Sequence, residues 1–153
     1  MRLATILIVA MASGNCRAAE ADVVRVDRVE ARLYYSHSGT LSEPISDEMA
    51  LWNVIIGAGS AKEPSKSVLV DVILSGTRGA YTGKHSVLLE AVNAKTKQRI
   101  SLQRERVGIL SSDGEYHVGF WLRSTGGVPL KLSASIPGTK EKKMLKIPFE
   151  CGE

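Results

Sequence analysis

Apolar residues recur at every second position along most of the chain, beginning with the segment that ends at Tyr35. A period of two residues is typical of β-strands that bury one face. In this first segment the apolar register changes between Val26 and Val29. We therefore predict a β-bulge near Asp27 and Arg28.

The same pattern predicts several more strands, separated by glycine, proline and polar turns. Apolar residues on both faces of 67–75 indicate a central strand. The charged residues 104–106 are typical of a sheet edge. The predicted strands after the first are 67–75, 85–93, 99–103, 116–123, 130–136 and 144–149.

The segment 37–64 is less regular and contains the one helix candidate, near residues 47–53. Ser46 precedes two acidic residues, an arrangement typical of a helix N-cap and first turn. Residues 53–56 suit a strand equally well, and both interpretations stay open.

Helical crossovers of the kind that parallel strands need are missing from this pattern. The sequence therefore predicts an all-β fold, an antiparallel two-sheet sandwich of seven or eight strands. The pattern resembles immunoglobulin-like domains in general architecture, although the Cys, Trp, Cys spacing of true members is absent.

An apolar run covers residues 3–12 and is followed by small and polar residues. It is too short to span a bilayer but has the length of a signal-peptide core. We expect a signal peptide at 1–21, with cleavage after Ala21 and Gly14 as the second choice, and one domain at 22–153. The alternative is a buried N-terminal strand or helix. The expected location is the periplasm or the exterior.

The pairing of the two cysteines depends on where the leader is cleaved. A cut after Ala21 removes Cys16 and leaves Cys151 as the one thiol, free or paired between chains. A cut after Gly14 permits a Cys16–Cys151 bridge.

Charge excludes some functions. The formal net charge is +4, and removal of the predicted leader leaves +3, because it takes away two arginines and one glutamate. The basic residues of 95–99 and 140–143 are interpreted as solvated turns without interleaved aromatics, so we predict no nucleic-acid partner. After leader cleavage we expect no integral membrane span. The net charge does not indicate the oligomeric state.

Two glycine-rich segments imitate nucleotide-binding motifs. Residues 57–59 follow an apolar stretch as Gly-Ala-Gly, but Pro64 blocks the helix that a dinucleotide needs. Residues 79–84 have one residue too few for a P-loop, and His85 replaces the magnesium-binding hydroxyl. We predict turns at both places and no cofactor.

The three histidines show no metal-ligand spacing, and no nucleophile motif is present, so we predict no catalytic or metal-binding residues. The rival hypothesis is a hydrolase or metal-dependent enzyme assembled from scattered side chains, namely His37, His85, His117 and Asp113.

Trp121 is the best candidate for recognition, because it alternates with Phe120 and Leu122 and falls on the other face of its strand. An exposed tryptophan beside arginine is typical of a binding patch. In a second interpretation, Trp121 is buried inside the sandwich or covered by a loop.

The candidate patch comprises Trp121, Arg123, His117 and Trp52. We predict an exported non-enzymatic protein that contacts another envelope or extracellular protein. A carbohydrate-binding or inhibitor-like module, which uses Trp121 and the loop at 126–127, is the alternative.

Overall fold

A computed structural model of the chain describes residues 24–125 and 127–150. In the described part, the regular elements are eight strands and one 3-10 turn, so the predicted all-β fold is confirmed. The strands are β1 (Arg25–Tyr35), β2 (Thr40–Leu41), β3 (Ser67–Ser75), β4 (Ser86–Asn93), β5 (Arg99–Arg106), β6 (Glu115–Arg123), β7 (Leu130–Ser135) and β8 (Lys142–Ile147).

The strands form two antiparallel sheets of four strands each. Sheet 1 has the order β2-β1-β3-β6, and sheet 2 has the order β5-β4-β7-β8. The chain passes between the sheets after β3, β5 and β6, so the architecture is the predicted two-sheet sandwich. As expected, β3 is central and β5 is an edge strand.

The core lies between the sheets and is built from alternate residues of each strand. In β6 the register directs Phe120 inward, 1% exposed, and Trp121 outward, 44% exposed. The interpretation with Trp121 inside is therefore wrong. The largest fully buried side chains are Phe120, Phe149, Leu33, Ile73, Leu74, Leu89, Leu110, Leu122, Leu130, Leu132, Ile136 and Ile147.

The predicted irregularity in β1 is confirmed, because the pairing of β1 with β3 shifts between Val26 and Arg28. The shift lets Val26 and Ala31 both face the core, at 2% and 1% exposure. A bulge is the standard way to keep two apolar registers on one buried face.

The helix candidate near 47–53 is not realised. The Ala50 amide donates to the Ser60 hydroxyl at 2.9 Å, and the Glu150 amide donates to the Leu51 carbonyl at 3.1 Å. These partners replace the i to i−4 bonds of a helix. The 3-10 turn lies just beyond, at Val54–Ile56.

The predicted leader 1–21, with Cys16, lies outside the described residues, as do Cys151 and position 126 of the 126–127 loop. Within 24–125 and 127–150, no helix has the length and apolar character needed to cross a membrane.

Candidate functional site

The outer face of sheet 1 brings aromatic and charged side chains into adjacent rows. Outward residues alternate with the core residues of β1, β3 and β6, and the strand register fixes which of them are neighbours. One row contains Tyr34, Ser67 and Arg123, and the next contains Arg32, Leu69 and Trp121.

Four of these residues, Tyr34, Ser67, Trp121 and Arg123, line an open cavity of about 420 Å³. We call these four residues the aromatic patch. The ring centroids of Tyr34 and Trp121 are 5.1 Å apart, with an interplanar angle of 86°. Edge-to-face contact of this kind holds both rings while leaving Trp121 partly open to solvent.

The backbone of Trp121 is held from the other sheet. The Gln103 side-chain amide, on β5, donates to the Trp121 carbonyl at 2.9 Å. Among the described residues β6 is the last strand of sheet 1 on this side, so the Gln103 hydrogen bond connects the two sheets beside the aromatic patch. The tryptophan is therefore fixed at both its ring and its main chain.

A buried hydroxyl supports the opposite side of the aromatic patch. Ser65 is 2% exposed, and its Oγ lies 2.9 Å from the Tyr34 carbonyl and 3.1 Å from the Ser67 carbonyl. One hydroxyl proton is shared by the two carbonyls. Ser65 thus joins the end of β1 to the start of β3 where the two strands enter the patch.

Replacing Ser65 with alanine is expected to lower the free energy of unfolding by about 0.5–1.5 kcal/mol, the usual net contribution of a hydrogen bond. Urea denaturation measures this loss. The control is Ser112→Ala at an exposed turn position, expected to stay within about 0.5 kcal/mol of the parent. Equal stability of the two variants would show that the Ser65 hydroxyl does not tie the strands.

A charge network lies further along the same face. Nδ1 of His117 is 2.7 Å from Oδ2 of Asp71, and its Nε2 is 3.8 Å from Oε2 of Glu115. Oδ1 of Asp71 is buried and has no hydrogen-bond partner among the described residues. His117 therefore faces two carboxylates, Glu115 on its own strand and Asp71 on β3.

Arg28 completes the charge network. Its guanidinium lies 2.9 Å from Asp27, 3.1 Å from Glu30 and 3.3 Å from Glu115. Hydrogen bonds to Asp27, then to Glu30 and Glu115, raise the pKa of Arg28 well above its ordinary value. The charges of this region are thus largely compensated within the face, in contrast with Arg123.

Arg123 differs because none of the ion pairs among the described residues includes it. It is exposed at the end of β6, beside Ser67, and lines the same cavity as the rings. A guanidinium in this position can bind a carboxylate through paired N–H donors. The aromatic patch thus combines an apolar surface with one uncompensated cation.

The structure places the four predicted patch residues in different surroundings. Trp121 and Arg123 line one cavity, and His117 lies on the same face but is engaged with Asp71. Trp52 does not line that cavity. It is 48% exposed, forms a bridge with Glu150, and has its indole nitrogen 3.2 Å from the position that a Cβ on Gly59 would take.

Three residues of the rival enzyme hypothesis, His37, His117 and Asp113, have different surroundings. His37 lines a separate cavity, and His117 is paired with Asp71. Asp113 accepts from the Ser111 hydroxyl and the Glu115 amide, and these bonds lower the pKa of its carboxyl group. In the part of the chain that the structure describes, no three His, Cys, Asp or Glu side chains could hold a metal ion.

Sequence reasoning missed Tyr34 and Ser67. Tyr34 continues the outward register of Arg28 and Arg32, which was a visible signal of its exposure. Its nearness to Trp121 had no local signal, because it depends on the pairing of three strands distant in sequence.

The glycine motifs form turns, as predicted. Gly57 and Gly59 have φ of 79° and 68°, and Gly79 has φ of 67°, values that favour glycine in tight turns.

Comparison with known protein families and with curated proteins finds no match to this chain.

Proposed function

We propose that this protein is an exported, non-enzymatic binding protein of the periplasm or cell envelope that contacts another protein through the aromatic patch. The observation that carries the proposal is the pair of Trp121 and Tyr34 beside Arg123. The ring of Trp121 is held edge to face, yet the residue is 44% exposed and borders an open cavity.

The composition of the patch suits a protein partner. Trp, Tyr and Arg are the residue types that contribute most to protein interfaces. Contact with Tyr34 and the tie from Gln103 restrict Trp121 before binding, which lowers the entropy lost on association.

The geometry suggests what the partner presents. The cavity of about 420 Å³ that the two rings line can take a large apolar side chain. Arg123 at its border can bind an acidic group on the same partner. We therefore expect an exposed partner segment with a large apolar residue next to aspartate or glutamate. Export itself is supported by the apolar run at 3–12.

Selection of displayed random peptides on the purified exported protein tests the proposal. We expect enriched peptides to combine a large apolar residue with an acidic one. Trp121→Ala should weaken their binding by about 2 kcal/mol or more, roughly thirtyfold, as for a central interface residue. Trp52→Ala is the matched control, because Trp52 has similar exposure but lies outside the patch, and it should leave the affinity unchanged.

Two results would contradict the proposal. Peptides that bind Trp121→Ala as tightly as the parent would place recognition elsewhere. Binding of neutral oligosaccharides, lost in Trp121→Ala, with no enriched peptide, would favour the carbohydrate-binding alternative, since tryptophan also packs on sugar rings. Isothermal titration with both ligand classes separates these outcomes.

A further inference from the structure

The outer face of sheet 2 carries a concentration of basic side chains that differs from the face of sheet 1. Register across β5, β4, β7 and β8 places these side chains on one surface, with the core residues of the same strands pointing the other way. We call this surface the basic face. Its cations include Arg104, Arg106, Lys131, Lys142 and Lys146.

The centre of the basic face is formed by neighbouring side chains of β4, β7 and β8. Ser133 pairs with Glu90 on one side and with Met144 on the other. A cavity of about 250 Å³ lies here, lined by Glu90, Val92, Lys131, Ser133, Lys142 and Met144. Two lysines therefore border a cavity whose lining also includes apolar side chains.

These cations are uncompensated. Among the described residues, none of them forms an ion pair, and every ion pair involves a side chain at Arg28, Arg32 or His117 of sheet 1. Glu90 is the one carboxylate at the described strand positions of the basic face. Most charged side chains on the outer face of sheet 1 are thus paired, although Arg123 is not, whereas the cations on the outer face of sheet 2 are unpaired.

Exposed apolar side chains lie among the cations. Met144 is 64% exposed and Leu102 is 49% exposed, and the two flank Glu90 and Ser133 in one row across the sheet. Flexible apolar groups between lysines are suited to an interface of lipid headgroups and acyl chains.

We propose that the basic face docks the protein on an anionic lipid surface. Lysine is depleted in protein interfaces, and the basic face has three lysines and no aromatic side chain at its described positions. Separate cations spread over β5, β7 and β8 suit many headgroup phosphates better than one protein epitope. The basic face lies on the opposite sheet from the aromatic patch, so this inference does not depend on the proposed function.

Co-sedimentation with vesicles tests the proposal, using phosphatidylcholine alone and phosphatidylcholine mixed with phosphatidylglycerol. We expect binding to the mixed vesicles only, weakened by added salt. Each basic residue near an anionic surface contributes about fivefold to membrane partitioning. The partition coefficient of the triple variant K131Q/K142Q/K146Q on the mixed vesicles should therefore fall on the order of a hundredfold.

A matched triple variant, K62Q/K66Q/K84Q, makes the same change in net charge at exposed loop lysines outside the basic face. Its binding to the mixed vesicles should decrease far less than that of K131Q/K142Q/K146Q. Equal losses in the two triple variants would mean that net charge alone attracts the vesicles, which overturns a specific docking face. Circular dichroism of each variant establishes that it is folded.

Met144→Gln separates lipid from other polyanions. It should weaken binding to the mixed vesicles, since the side chain no longer enters the interface, and leave binding to soluble polyglutamate unchanged. Binding to polyglutamate without binding to either vesicle would overturn the proposal in favour of an acidic protein partner.

Discussion

Replacing Phe120 with alanine is expected to lower the free energy of unfolding by about 3–5 kcal/mol, the usual cost of truncating a buried phenylalanine. Phe120 is 1% exposed and is among the largest side chains between the two sheets. The loss combines the hydrophobic transfer of the ring with the cavity left behind. Urea denaturation should show a lower midpoint with an unchanged slope.

Trp121→Ala is the control, because it removes a larger ring from the next position of the same strand. Its expected cost is about 1 kcal/mol, mainly the lost aromatic contact with Tyr34. The pair of variants therefore tests which face of β6 is the core. A larger loss for Trp121→Ala than for Phe120→Ala would reverse the assignment of the two faces.

Strand positions could be predicted because period two is a local property of the sequence. The segment 67–75 coincides with β3, and the bulge in β1 follows from two apolar registers in one strand. The buried side of β6 could not be decided in the same way, since Phe120 and Trp121 give both faces an aromatic residue. Burial is decided by what packs opposite, and that depends on the whole fold.

Only two of the four residues of the aromatic patch could be predicted from the sequence, for a related reason. Trp121 and Arg123 share one strand, so their common face follows from alternation. Tyr34 reaches them through the pairing of β1 with β3 and of β3 with β6. Such registers join segments distant in sequence, and no local pattern specifies them.

The basic face was missed because its charges come from separate segments, and one of them, Lys142, was assigned to a turn. Lys142 and Lys143, interpreted as part of a turn, are the first residues of β8. Within that strand Lys142 shares a face with Lys146, and pairing with β7 brings in Lys131. Charge that is scattered along the chain becomes concentrated only when the strands are paired.

The segment between β2 and β3 shows the limit of local signals most clearly. An N-cap pattern at Ser46 made residues 47–53 a helix candidate, but tertiary hydrogen bonds to Ser60 and Glu150 occupy the backbone there. Gly59 takes part in the same arrangement, since it lies against the Ala50 carbonyl. This contact provides a direct test of how the segment is held.

Gly59→Ala is expected to lower the free energy of unfolding by about 2–4 kcal/mol, combining the cost of a left-handed backbone with that of overpacking. Gly59 has φ of 68°, and an added Cβ would lie 2.2 Å from the Ala50 carbonyl oxygen. That oxygen cannot easily move, because it accepts from the Ser60 amide at 2.8 Å while the Ala50 amide donates to the Ser60 hydroxyl.

Gly39→Ala isolates the backbone cost in this comparison. Gly39 has φ of 70°, and an added Cβ there would meet nothing within 4 Å, so the expected loss is only about 1–2 kcal/mol. The difference between the two variants, measured by urea denaturation, gives the cost of the clash with Ala50. Equal losses of stability in the two variants would mean that the loop rearranges at Ala50 at little cost in free energy. A larger loss for Gly59→Ala, with altered tryptophan fluorescence from the adjacent Trp52, would establish that tertiary contacts hold the loop against its helical propensity.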